Sequence, residues 1–360
     1  MRHNKYSEYK IALFPEKLES FVKGEVTAPI YVRVKPTNVC NHNCFFCVYA
    51  SGLHRDSVSD HIVSGMHEDI GHRDVIPTPK MMEILEDFRD IGVKAITYSG
   101  GGEPLMHKDI VKFMQTTLDY GIDLSIITNG QLLTKDRAEV LGRAKWVRVS
   151  MDYANAEEMV AQRGVSSSSF QSVINNIEQF AKVKKGADLG VNFIIHKKNV
   201  QSIFFIAKLL KDSGVENVRF SPMWIENFAE YHADIEDEVK SELERASTLI
   251  DSKFTMNTSY NISAKNNATE RTYHQCFYMQ IVPVVGADQM IYACHNKAYD
   301  NSGAIGSIRD KRFREVWFSD EVRRLFTEFD AMKRCHHQCA NDGKNIFMHG
   351  LLDAQKDNFV

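Results

Sequence analysis

The sequence carries seven cysteines in two blocks, and their placement constrains the chain more than any other feature. The first block is Cys40-x3-Cys44-x2-Cys47. The second is Cys276, Cys294 and the pair Cys335-x3-Cys339. The stretch between Cys47 and Cys276 has none. Thiolates are the natural ligands of iron–sulfur clusters, and a loop as short as the first block can wrap three corners of a cubane. The fourth iron then stays open to another ligand, which makes it a place for chemistry. Zinc is the competing reading. A structural zinc wants four ligands, and beside the first block only His42 could add one. The spacing of the second block would also suit a four-thiolate zinc site.

Disulfides are the other use of cysteine, and they belong to oxidising compartments. The basic start, Met1-Arg2-His3-Asn4-Lys5-Tyr6, leads into no long apolar region and does not read as a secretory signal. No apolar run reaches the roughly 18 residues of a membrane-spanning helix. The expectation is a cytoplasmic protein with reduced thiols. A net charge of −3 argues against nucleic acid or an acidic membrane as the main partner. With 360 residues, 43% of them hydrophobic, the chain can bury a large core.

Short β-branched runs at 30–34, 95–98, 124–127, 146–149, 190–195 and 217–220 read as buried strands. Helical spacing fills 79–91, 107–120, 134–143, 169–184 and 200–213; Met81, Ile84, Leu85, Phe88 and Ile91 share one face. Six βα units in order predict an α/β fold, a partial (β/α)6 barrel with a parallel sheet. The site in such sheets lies at the carboxyl ends of the strands. The first cysteine block, Gly101-Gly102-Glu103-Pro104, Thr128-Asn129 and Ser150-x-Asp152 all follow strands and should converge on one mouth. The expected organisation is an extension at 1–29, the barrel at 30–225, a linker region at 226–270 with one helix over 233–252, a small cluster-binding domain at 271–345, and a tail at 346–360. The small domain reads as a β-hairpin, 281–285 with 290–293, followed by a helix from 312 to about 329. Residues 51–77 form a long insertion carrying His54, His61, His67 and His72, read as a solvated loop that could act as a lid.

The cysteine spacing together with these strand-end motifs resembles the radical S-adenosylmethionine (SAM) superfamily, over about residues 30–225. The resemblance implies a 4Fe-4S cluster on Cys40, Cys44 and Cys47, with SAM chelating the open iron. Electron transfer then cleaves SAM to methionine and a 5′-deoxyadenosyl radical, which removes hydrogen from substrate. An electron donor such as flavodoxin or ferredoxin is implied. Phe46 matches the aromatic position beside the adenine. Gly101, Gly102, Glu103 and Pro104 match the turn that receives the SAM amine. Thr128 and Asn129 match the end of the third strand, and Ser150 a position near the ribose or carboxylate. Arg163 resembles the arginine that pairs with the SAM carboxylate, a task that suits a bidentate guanidinium. Taken singly, the glycine turn could be an ordinary turn, Arg163 a surface residue and Asp152 a helix N-cap.

The second block resembles the Twitch module, the shortened form of the SPASM domain. Gly303-Ala304-Ile305-Gly306-Ser307-Ile308 and Val316-Trp317 carry this resemblance beside the four cysteines. It implies one auxiliary 4Fe-4S cluster on Cys276, Cys294, Cys335 and Cys339. If all seven cysteines are ligands, no thiol is left to return hydrogen to a substrate radical. That favours a net oxidation, with the auxiliary cluster as electron acceptor. Asp152, Asn192 and Arg219 are the candidate catalytic residues, and the residues alone do not choose among them. The expected substrate is a small polar metabolite such as a sugar or aminocyclitol. Two readings stand beside it: modification or epimerisation of a ribosomal peptide, and a non-enzymatic iron–sulfur carrier or zinc-binding protein. The short extension at 1–29 argues against a leader-peptide recognition unit. Molybdopterin-type GTP cyclisation fits less well, because that family ends in Gly-Gly.

Overall fold

The computed structural model describes residues 8–49, 69–225, 228–258, 260, 270–336 and 339–353. Most of the 51–77 insertion, with His54, His61 and His67, lies outside them.

Helix α1 (Pro15–Lys23) precedes strand β1 (Tyr31–Val34). The chain then alternates: α2 (Thr78–Ile91), β2 (Ala95–Tyr98), α3 (Ile110–Asp119), β3 (Asp123–Thr128), α4 (Lys135–Leu141), β4 (Trp146–Ser150), α5 (Ala156–Arg163), α6 (Ser168–Val183), β5 (Asp188–Ile195), α7 (Ile203–Asp212) and β6 (Asn217–Pro222). β1 to β6 pair in chain order, all parallel. The six strands are those the sequence predicts.

The helices bury the faces that their apolar spacing marks. Met81, Ile84, Leu85 and Phe88 of α2 are fully buried. The helix stops at Gly92, whose φ of 86° is left-handed and whose N–H closes onto the Phe88 and Arg89 carbonyls. On β4, Val147 and Val149 are buried while Trp146, Arg148 and Ser150 stay half-buried on the opposite face. β6 repeats this, with Arg219 and Ser221 on the half-open face. One side of the sheet is therefore sealed by helices, and the other presents polar side chains.

The region after β6 holds more structure than one helix and a linker. It contains α8 (Phe228–Ala233), α9 (Glu236–Ser247) and a seventh parallel strand, β7 (Thr255–Thr258), on β6. The expected hairpin is present as β8 (Val284–Val285) and β9 (Met290–Tyr292), extended by β10 (Ala304–Ser307). β8 pairs in parallel with β1, so the ten strands among the described residues form one sheet, ordered β10-β9-β8-β1-β2-β3-β4-β5-β6-β7. The single helix expected over 312–329 is two, Phe313–Trp317 and Asp320–Glu328, because the Ser319 hydroxyl caps the second by accepting from the Val322 N–H.

The C-terminal segment is anchored on the barrel. Phe313 packs edge-on against Phe88 with centroids 4.9 Å apart. The fully buried Asp87 accepts from Arg312 at 2.9 Å. The Trp317 indole N–H donates to the Thr27 carbonyl at 2.9 Å. Truncating Phe313 to alanine would cost about 3–5 kcal/mol by the usual scale for buried aromatics. Among the described residues, no helix is long and apolar enough to cross a membrane.

Candidate active site

The first cysteine block is the loop that leaves β1, and neighbouring strand ends hold it down. The glycine turn after β2 is laced to its base: Gly102 N–H donates to the Thr37 carbonyl at 3.2 Å, and Glu103 N–H to the Val39 carbonyl at 3.0 Å. The approach is close enough to require glycine. A Cβ on Gly102 would lie 2.2 Å from the Val39 oxygen, and one on Gly101 would lie 2.1 Å from Asn38 Oδ1.

Glu103 is buried and its carboxylate joins two strand ends. It accepts from Leu105 N–H at 3.0 Å, the Thr128 hydroxyl at 2.7 Å and Asn129 N–H at 2.7 Å. Burial raises its pKa, and the Asn129, Thr128 and Leu105 donors oppose that shift. Asn129 passes the contact on, donating to Asn41 Oδ1 at 2.8 Å. Gln131 then accepts from Asn41 at 3.1 Å and from His42 Nε2 at 2.7 Å. His42 is held down to about 4 by burial first and by Arg163 second, so it is neutral.

The far wall is α5, an element the sequence spacing does not predict. Its carbonyls at Gln162 and Arg163 accept from the Phe45 and Asn43 N–H groups, at 3.2 and 2.8 Å. Arg163 is the last residue of the helix and is 5% exposed. It donates to Cys44 Sγ at 3.1 Å and to the Ser150 carbonyl at 3.2 Å, and it pairs with Asp152. Burial works against its charge, but Asp152 and Cys44 outweigh burial and raise its pKa above the usual range. Asp152 is thus an ion-pair partner; the helix is capped instead by Asn155, which accepts from Glu158 N–H. Phe46 lies beside this pair, its ring centre 5.3 Å from the guanidinium carbon.

Cys40, Cys44, Cys47, Gly101, Gly102, Glu103, Thr128, Asn129, Ser150 and Arg163 therefore line one cleft. It holds about 640 Å³ of free space, within the roughly 300–1,000 Å³ usual for small-molecule and cofactor sites. Pro104 is buried just behind it. The donor set suits a sulfur-ligated cluster. Arg163 Nε is a buried polar atom with no partner among the described residues, which fits a further polar ligand here. Asn192 and Arg219 stand one and two strands from Ser150 in the same register. Asn192 accepts from Ser221 at 3.3 Å.

Cys276, Cys294, Cys335 and Cys339 line a second, separate cavity with apolar walls that include Met279 and Phe329. Asn345 donates to Cys276 Sγ at 3.4 Å, and Asn341 N–H to Cys339 Sγ at 3.4 Å. Burial pushes the thiols up in both places: Cys44 and Cys276 to about 12, Cys40 and Cys339 to about 11. Loading either site with metal must displace those protons, which makes assembly pH-dependent.

Two connections escape the sequence. Lys35 is fully buried, its ammonium 3.8 Å from the Tyr49 ring centre and 3.1 Å from the Gly100 carbonyl. The Tyr49 hydroxyl meets the His295 ring at 3.1 Å, joining the first cysteine loop to the residue after Cys294. Its one visible signal is that each of these residues lies close to a cysteine.

Comparison with known proteins agrees with this geometry. Residues 34–210 match the radical SAM superfamily, and residues 276–340 match the SPASM iron–sulfur cluster-binding domain. A probable GTP 3′,8-cyclase of Methanocaldococcus jannaschii is 31% identical over 225 residues, 60% of this chain and 68% of that protein. The AdoMet-dependent heme synthase of Methanosarcina barkeri is 24% identical over 85% of this chain and 87% of that one. Streptococcus suis SuiB, solved with its precursor peptide SuiA, shares the fold at a TM-score of 0.63 and 16% identity, covering 99% of this chain and 81% of SuiB. With its three-cysteine loop, glycine turn and buried arginine around one cleft, the chain belongs to the radical SAM superfamily and carries a C-terminal SPASM domain.

Proposed function

We propose that this enzyme oxidises a small polar metabolite, using one SAM-binding 4Fe-4S cluster and one auxiliary cluster as electron acceptor. The observation that carries the reading is the partition of the cysteines. Three line the open cleft and four line the smaller second cavity, and the sequence has no eighth. No thiol remains to hand hydrogen back to a substrate radical.

When bound, SAM and its cluster supply the 5′-deoxyadenosyl radical. Cys40, Cys44 and Cys47 are the cluster ligands in this reading. Arg163 offers Nε to the SAM carboxylate, and Phe46 a face to the adenine. The carbonyls of Gly101 and Gly102 suit the SAM amine. Glu103 acts from behind, since its oxygens already hold Leu105, Thr128 and Asn129. Asn192 and Arg219 give the half-open sheet face hydrogen-bonding groups for a hydroxylated substrate. The cyclase and the heme synthase are named for GTP and heme, which supports a small molecule over a peptide.

The test is anaerobic reconstitution with iron counting. About eight irons per chain supports two cubanes. One zinc, with no SAM binding, overturns the reading. The reconstituted enzyme, given SAM and dithionite, should form 5′-deoxyadenosine faster when supplied with a peptide-free metabolite extract. Stimulation by ribosomal peptides alone would favour peptide modification.

A further inference from the structure

Arg163 is unusual in what it touches. One nitrogen, Nη1, reaches a cysteine sulfur, Cys44, at 3.1 Å. The other, Nη2, is held by the Ser150 carbonyl at 3.2 Å and by Asp152. Both charged side chains are buried, Arg163 at 5% exposure and Asp152 at 0%. The neighbouring Cys40 sulfur receives a backbone amide, that of His42, at 3.4 Å. The sulfurs of Cys276 and Cys339 receive a side-chain amide and a backbone amide. Cys44 thus receives a donor with a full positive charge. A charged donor makes roughly twice as strong a bond as a neutral one.

Both Nη nitrogens of the guanidinium are engaged inside the protein. Its Nε is left over, buried and without a partner among the described residues. A carboxylate clamp alone would not need an arginine tied at its other edge to a sulfur. Asp152 holds Nη2, and the planar fork then aims Nη1 at Cys44.

We propose that Arg163, positioned by Asp152, sets the reduction potential of the cluster carried by Cys40, Cys44 and Cys47. It does so by donating a charged hydrogen bond to the Cys44 sulfur. The proposal rests on those cysteines being the ligands. One-electron reduction adds a negative charge to the cluster. A cation bonded to one of its sulfurs stabilises that reduced state and raises the potential; hydrogen bonds to sulfur are a recognised control of such potentials. Asp152 is then a positioning residue and not a base for the substrate.

The experiment is an EPR-monitored redox titration of the reconstituted full-length protein without SAM, using dithionite as one-electron donor. The signal of the first cluster is identified beforehand as the one that added SAM perturbs. Arg163→Met should move its midpoint to more negative potential and leave the auxiliary cluster unmoved. Arg163→Lys keeps the charge but loses the fork, and should shift the midpoint in the same direction by less. If Arg163→Met fails to assemble the cluster, the Lys variant decides alone. A first cluster that titrates at the wild-type potential in these variants overturns the proposal. A wild-type protein that assembles no cluster on the first block overturns the ligand reading, and the proposal with it.

Discussion

The two cysteine sites differ in how the fold builds them. The first gathers side chains from four strand ends and from α5, and it opens into a wide cleft. Its polar groups are tied to one another: Glu103 to Thr128 and Asn129, Asn129 to Asn41, Arg163 to Asp152 and Cys44. The second is made by short C-terminal segments around a smaller, more enclosed cavity with apolar walls. A four-thiol site leaves no ligand position open, which suits a centre that only passes electrons. An open three-thiol site suits a centre that must take a ligand. The contrast is the structural argument for two roles, and Tyr49 with His295 is one contact that joins them.

Removing one ligand from each site is the most direct way to break this contrast. Cys44→Ala should drop iron by about half and abolish 5′-deoxyadenosine formation with dithionite. Cys294→Ala should lose a similar share of iron but keep SAM cleavage within several-fold of wild type. Its oxidised product should disappear. Equal loss of SAM cleavage in both variants, with circular dichroism unchanged, would leave no division of labour between the sites.

Most of this division can be read in the sequence, because both the strands and the thiols advertise themselves. Buried parallel strands are short β-branched runs, and β1 to β6 have that form. β7 does not, since Thr255–Thr258 is polar and half-exposed. α5 escapes for a similar reason: it buries only Met159, Gln162 and Arg163, too few for an apolar stripe. The residues around the thiols are partly legible. Glycine after a strand signals close approach, and Gly102 does meet the Val39 carbonyl. The partner of a buried charge is not legible. Asp152 after a strand fits an N-cap as well as an ion pair, and only the position of α5 decides. Lys35 is the extreme case, because lysine is rarely buried and nothing in its neighbours marks it.

A smaller effect sharpens the contrast at the open site. Gly102→Ala would place a methyl group against the backbone of Asn38 and Val39, which cannot swing aside as a side chain can. The turn must shift, moving the Gly101 and Gly102 carbonyls proposed for the SAM amine. SAM affinity, measured by equilibrium dialysis of the reconstituted enzyme, should fall about 10-fold or more, equivalent to about 1.4 kcal/mol. Iron content should stay near wild type, because the cysteines are not touched. Loss of iron together with affinity would mean that the turn supports the cluster loop itself and not just the ligand.

The smallest expected effect concerns pH, at a histidine packed against the first cysteine loop. His196 follows β5, fully buried, with its ring 5.2 Å from Phe45 and 6.2 Å from Phe46. Its Nδ1 accepts from Lys198 N–H at 3.2 Å, so a neutral ring carries its hydrogen on Nε2. Burial first, then Lys198 and Arg163, holds its pKa down to about 3. In the unfolded chain it would bind a proton below about pH 6.5. Between those values the unfolded state holds more protons, so stability is full above about pH 6.5 and is lost as pH falls. His42 adds to the same slope. Replacing His196 with leucine should remove about 1–2 kcal/mol of the stability lost between about pH 7 and pH 5, as read by urea unfolding. A variant that loses as much stability on acidification as wild type would show that His196 can take up its proton in the folded protein. The surroundings of His196 would then be wetter than its packing against Phe45 and Phe46 implies.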